Sequence, residues 1–192
     1  MRTLSRIVIG ISGASGAMLG IRIVELLATS GCETHLVVSQ GAERTIAHEA
    51  GSDALRRIQD MAAYCHSIDD LGATIASGSF RTSGMIVAPC SMRTLSAIAS
   101  SGADNLLVRA ADVHLKERRK LVLLTRETPL HLGHIRAMAA ASEIGAIIAP
   151  PVPAYYRKPQ SVADIIDHTA RRAIDLIGLD IGVLAEPWSG IR

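Results

Sequence analysis

Several short clusters in this 192-residue chain could grip and transform a charged small molecule. Ser12-Gly13-Ala14-Ser15-Gly16 is a small-residue turn whose backbone N–H groups can approach an anion. Pro89-Cys90-Ser91-Met92-Arg93-Thr94 offers two hydroxyls and a guanidinium. Arg126-Glu127-Thr128-Pro129 sets a cation beside a carboxylate, either a surface ion pair or an anion-binding arginine next to a proton-transfer group. Ser39 and the segment from Pro150 to Tyr156 complete the set. Hydroxyls, small residues and arginines together point to phosphate recognition, because the planar guanidinium matches phosphate oxygens. Arginine dominates the cations, with Lys116, Lys120 and Lys158 the only lysines.

These clusters fall where strands end. Arg6–Ile11, Glu33–Val38, Met85–Ala88, Leu121–Thr125 and Ala146–Ala149 are short apolar, β-branched runs. They alternate with helical patterns over Ala17–Thr29, Gln40–Ala50, Ser52–Met61, Ser91–Ala99, Leu106–Leu115, Leu132–Ser142 and Val162–Leu176. Gly31 is expected to close the first helix, and Ser39 to cap the second. Strand–helix alternation predicts an α/β fold: a three-layer, Rossmann-like (flavodoxin-like) doubly wound parallel sheet in one domain over 1–192. Ligands of such sheets bind beyond the carboxyl ends of the strands, where the clusters sit.

The nature of the ligand can be narrowed. GISGASG is neither GxGxxG nor a P-loop, and no lysine follows it. A dinucleotide site would put Asp or Glu after the second strand; Ser39 stands there, which favours a monophosphate such as FMN over NAD. Cys90 has no nearby base and is read as a buried small residue rather than a nucleophile. His131 and His134 could bind metal by spacing but lack a third ligand, and Cys65-His66 lacks partners. Arg93 reads equally as a solvated helix residue or a ligand contact. The charged run 109–119 reads as a solvated helix face.

Composition bounds the rest. Apolar residues make up 48% and charged residues 20%, so bulk disorder is excluded. The net charge of +2 is too even for a nucleic-acid binder. No apolar run reaches the roughly 18 residues of a membrane span. Three cysteines without CxxC spacing fit a reducing cytoplasm.

Taken together, GISGASGA (10–17), ETHLVVS (33–39), SGSFRTSGMIVAPCSMRTLSAIA (77–99), RAADVHLKERRKLVLLTRETPLHLGHIRAM (109–138) and PPVPAYYRKPQSV (150–162) resemble the UbiX/Pad-type flavin prenyltransferases over nearly the whole chain. The resemblance implies transfer of a dimethylallyl group from dimethylallyl monophosphate to reduced FMN, with a bond to flavin N5 and ring closure at C6. The product, prenylated FMN, would serve a separate UbiD-type decarboxylase. By position it implies that Gly13, Ala14, Ser15, Ser39, Ser91, Met92, Arg93, Thr94 and Arg126 contact the flavin. Tyr156 and Arg172, with Lys116, would hold the prenyl phosphate. Ser15, Glu49, Arg109, Lys116 and Glu127 would surround the reacting centre, with Glu49, Arg109 and Lys116 possible contributions from a neighbouring subunit. It further implies a metal-independent reaction, a homo-oligomer built as a dodecamer, and a tail (about 161–192) covering the site. Departures are Tyr155 where the family often has Phe, Gln40 where Lys is common, and a tail ending soon after Trp188. Two competing readings are an FMN-dependent decarboxylase of the cysteine-decarboxylase type and an FMN carrier without chemistry. The first is disfavoured because PCSMRT stands where such proteins carry PASANT, and His48 is the only histidine between Ser39 and Glu49.

Overall fold

The computed structural model describes residues 5–179, 181, 185–186 and 190. Six parallel strands, β1 (Arg6–Ile11), β2 (Glu33–Val38), β3 (Tyr64–His66), β4 (Gly84–Cys90), β5 (Lys120–Thr125) and β6 (Ile147–Ile148), lie in the order β3-β2-β1-β4-β5-β6. The chain leaves β1 toward β2 on one side and later returns to β4 on the other. The switch point therefore lies between the carboxyl ends of β1 and β4. Helices α1 (Ala17–Ala28), α2 (Gln40–Ala50), α3 (Ala54–Met61), α4 (Met92–Ala99), α5 (Leu106–Lys116), α6 (Leu132–Glu143) and α7 (Val162–Ile177) complete the layers.

Because side chains alternate along a strand, each strand feeds two cores. Ile7, Ile9, Ile11, Leu36, Ile86 and Val122 meet α1, α2, α3 and α7 on one face. Val8, Val37, Met85, Val87, Leu121 and Leu123 meet α4, α5 and α6 on the other. Strands buried on both faces explain the uninterrupted apolar runs in the sequence. A Cβ at Gly20 would lie 2.3 Å from the Ala88 carbonyl oxygen, so only glycine lets α1 approach β4 this closely. Among the described residues no helix is long and apolar enough to cross a membrane.

Three details differ from the sequence-based expectation. The short edge strand β3 was not anticipated. Strand β4 runs through Pro89 to Cys90, with a cis Ala88–Pro89 bond and a register shift between Val87 and Cys90. Helix α1 is closed by Thr29, and Gly31 takes its positive φ of 76° two residues later. Of the tail expected to cover the site (about 161–192), α7 is described, whereas Trp188 and several of its neighbours lie outside the described residues.

Candidate functional site

The switch point is built around Ser12. Its hydroxyl donates to the Pro89 carbonyl at 2.9 Å and accepts from the Ser91 N–H at 2.7 Å, which fixes the ends of β1 and β4 together. Beside it opens a cavity of about 460 Å³, lined by Gly13, Ser39, Gly41, Ser91, Thr94 and Asn105 among others. Three of these lining residues cap helices that start at the cavity. Ser39 accepts from Ala42 N–H at 3.2 Å, Ser91 from Thr94 N–H at 3.3 Å, and Asn105 from Val108 N–H at 3.1 Å. Helix starts carry partial positive charge and exposed N–H groups, so three of them together favour an anionic or strongly accepting ligand. Asp69 and Asp104 also line the cavity, and Asp104 lies 3.6 Å from Arg93.

The residues fit a flavin mononucleotide on two observations. A Cβ at Gly13 would fall 2.9 Å from the Gly41 backbone, so the turn and the start of α2 form a close-walled cradle. Thr125 Oγ1, buried at the end of β5 opposite Cys90, has no hydrogen-bond partner among the described residues.

Glu49 changes the reading of the first turn. Its carboxylate accepts from Gly16 N–H at 3.0 Å and from Ala17 N–H at 2.8 Å. The start of α1, expected to meet a ligand anion, is therefore satisfied by a carboxylate of its own chain. Glu49 thus stands beside Ser15 without help from a neighbour. Met92, expected to contact the flavin, is buried in the core and is not among the residues that line the cavity.

Arg126 and Glu127 follow β5 on the same carboxyl edge and are exposed. The Arg126 N–H donates to the Cys90 carbonyl at 3.1 Å, and the Glu127 carboxylate accepts from Thr128 N–H at 3.0 Å. Neither forms an ion pair with a described residue, so the surface-pair reading of this loop does not hold. Tyr156 and Arg172 line a second, smaller cavity of about 180 Å³ with Leu124, Val152, His168 and Thr169. Arg172 is paired with Asp175.

Two expected residues lie elsewhere in the chain. Arg109 donates to the Ala76 carbonyl at 3.2 Å and to Asp112 at 2.7 Å. Lys116, paired with Glu117 at 2.6 Å, ends α5, while the start of that helix faces the first cavity. A helix of 11 residues spans about 16 Å, so Lys116 sits at the opposite rim of its own sheet. Cys90 is fully buried, and burial pushes its thiol up to about 12, which removes it as a nucleophile. His66 has its Nε2 3.0 Å from Nδ1 of His35. Sequence reasoning passed over Asn105 and His168. The first was legible as an Asn directly before an apolar helical run; the second carried no signal beyond its place in a helix.

The flavoprotein family model matches residues 1–173. The flavin prenyltransferase UbiX of Thauera aromatica is 54% identical over 185 residues, covering 96% of this chain and 94% of that protein. This chain belongs to the UbiX-type flavin prenyltransferase family. A UbiX protein in complex with FMN and dimethylallyl pyrophosphate superposes with a TM-score of 0.91 at 47% identity, covering 99% of this chain and all of that one. A dodecameric FMN-dependent UbiX-like decarboxylase from Escherichia coli O157:H7 gives the same TM-score at 45% identity, over 96% of this chain and all of that one. For a flavin prenyltransferase, two cavities of unequal size on one carboxyl edge match the need to hold two reactants.

Proposed function

We propose that this chain transfers a dimethylallyl group from dimethylallyl monophosphate to reduced FMN, releasing phosphate and a prenylated flavin. The observation that carries the reading is the pair of cavities at the ends of β4 and β5: one ringed by helix starts, the other holding a tyrosine and an arginine. Reduced FMN, when bound, supplies N5 as nucleophile and C6 as the site of ring closure. The Gly13–Ser15 turn, Ser39, Ser91 to Thr94 and Arg126 hold the flavin. Tyr156 and Arg172 bind the prenyl phosphate, and their N–H and O–H groups stabilise its charge as the carbon–oxygen bond breaks. Glu127, free of any ion pair with a described residue, carries a proton toward the departing phosphate. Leu124, Val152 and Leu176 line the smaller cavity and keep water from the allylic carbon.

A second copy of the chain supplies Arg109 and Lys116 to this site in a homo-oligomer, since each stands away from the cavities of its own subunit. The product passes to a UbiD-type decarboxylase. Incubation with reduced FMN and dimethylallyl monophosphate tests the proposal. A flavin heavier by one five-carbon unit is expected. Flavin of unchanged mass would support the carrier reading, and release of carbon dioxide from a cysteine-ended peptide the decarboxylase reading.

A further inference from the structure

We propose that His168 is a third phosphate-binding residue of the smaller cavity, donating a ring N–H to the anion that Tyr156 and Arg172 hold. The inference rests on the prenyl-transfer reading above and adds to it a residue for the leaving group. The wall of this cavity is apolar apart from Tyr156, His168, Thr169 and Arg172. The Thr169 hydroxyl donates to the Ile165 carbonyl at 2.7 Å, so its proton is already committed. The Arg172 guanidinium is bonded to Asp175, whose carboxylate offsets much of its charge. Arg109 and Lys116 of a second copy add charge from outside the pocket, but a phosphate carrying up to two negative charges against this largely apolar wall still needs more donors from it than Tyr156 and a half-committed arginine provide.

His168 is placed to be that donor. It precedes Arg172 by one helical turn, so both leave the same face of α7. Its ring meets that of Tyr156 at 86°, with centroids 6.5 Å apart, and thereby braces the tyrosine. Tyr156 stands on a short 3-10 turn, Tyr155–Arg157, whereas His168 rides on a firmly held helix. A capping box of Ser161 and Asp164 fixes the start of α7. Asp167, the residue before His168, accepts from Arg22 of α1 at 2.8 Å and from Arg171 at 2.7 Å. The imidazole is thus presented from the helical wall of the cavity, facing the short 3-10 turn that carries the tyrosine.

Calorimetric titration of dimethylallyl monophosphate into the FMN-loaded protein tests this, with FMN affinity measured separately by flavin absorbance. His168→Phe keeps a ring against Tyr156 and removes the N–H. It is expected to weaken alkyl-phosphate binding about 10-fold or more, the usual cost of a hydrogen bond to a charged group, with FMN affinity unchanged. His168→Gln restores a donor and is expected to recover most of the loss. Wild-type affinity in the Phe variant, or an equal loss in the Gln variant, overturns the proposal while leaving prenyl transfer intact. Failure of the wild-type protein to bind the alkyl phosphate removes the prenyl-transfer reading and this inference with it. A measurement without variants uses carbethoxylation of His168, read by peptide mass. Dimethylallyl monophosphate should slow it, and an unaltered rate also overturns the proposal.

Discussion

The two rims of the sheet carry similar residues and treat them in opposite ways. At the amino rim, Arg119 donates to the Gly78 and Phe80 carbonyls at 2.6 and 2.8 Å. Arg6 bonds Glu33 and Glu33 bonds His35, at 2.7 and 3.0 Å. The hydrogen bonds from His35 and Arg6 hold the Glu33 carboxyl below its ordinary range even though burial acts the other way. At the carboxyl rim, Arg126 and Glu127 form no ion pair with a described residue, and Arg93 reaches Asp104 only at 3.6 Å. Charges that are mutually satisfied hold a fold together; charges left without partners are available to a ligand. Substitutions at the amino rim should therefore act on stability, and those at the carboxyl rim on binding and rate.

The largest effect is expected at Glu127. Glu127→Gln keeps the shape and loses the transferable proton, which typically costs about 10²–10⁴-fold in rate. The variant should retain FMN, seen by absorbance, yet form little prenylated product by mass. Full activity would move the proton-transfer role away from this rim.

The amino rim offers the matching stability test. His114 is buried, with Nδ1 2.7 Å from the Ala110 carbonyl and Nε2 2.8 Å from Thr82 Oγ1. Burial lowers its pKa from 6.5 to about 4. The unfolded chain binds this proton more readily than the folded one, so folding stability is full above pH 6.5 and falls as pH drops toward 4. The loss from this one group approaches about 3 kcal/mol. Denaturant midpoints measured across that window should fall in the wild type and flatten in His114→Gln. A wild-type midpoint independent of pH would show that the imidazole is not held neutral.

How much of this was legible in the sequence depended on whether the cause was local. β1 and β2 appear where their β-branched runs predict, because strands buried on both faces must be apolar throughout. Ser39 was readable as a cap because a cap's partner lies three residues away, and Ser91, read as the first residue of its helix, proves to cap it. β3 was hidden: Tyr64-Cys65-His66 is short and mostly exposed, and it pairs with β2 with the His35–His66 contact beside it, 31 residues apart. The Glu49 bond to the start of α1 spans 32 residues, so the first turn looked free to take an anion. Arg109 and Lys116 were assigned by resemblance, and position along the chain alone does not reveal on which rim a helix ends.

Glu49 is the exception that sharpens the contrast, a carboxyl-rim residue engaged like those of the amino rim. Glu49→Ala leaves the Gly16 and Ala17 N–H groups without their acceptor and should lower stability by about 1–2 kcal/mol. Glu49→Gln should return part of that. Urea denaturation of the FMN-free protein reads the effect apart from any catalytic role. Unchanged stability in the Ala variant would mean that water replaces the carboxylate at no cost.

The smallest effect, and the most discriminating, is expected at Arg93. Its side chain is 84% exposed and its distance to Asp104 is long for an ion pair. Exposed pairs of this kind contribute little, so Arg93→Ala should leave the denaturation midpoint within about 0.5 kcal/mol. Arg93 nevertheless lines the larger cavity, and a guanidinium without a strong partner is available to a bound phosphate or flavin oxygen. FMN affinity should therefore fall while stability stays, the reverse of what is expected of a substitution at the amino rim. A stability loss without an affinity loss would make Arg93 a structural residue and break the division between the two rims at the point where it predicts most.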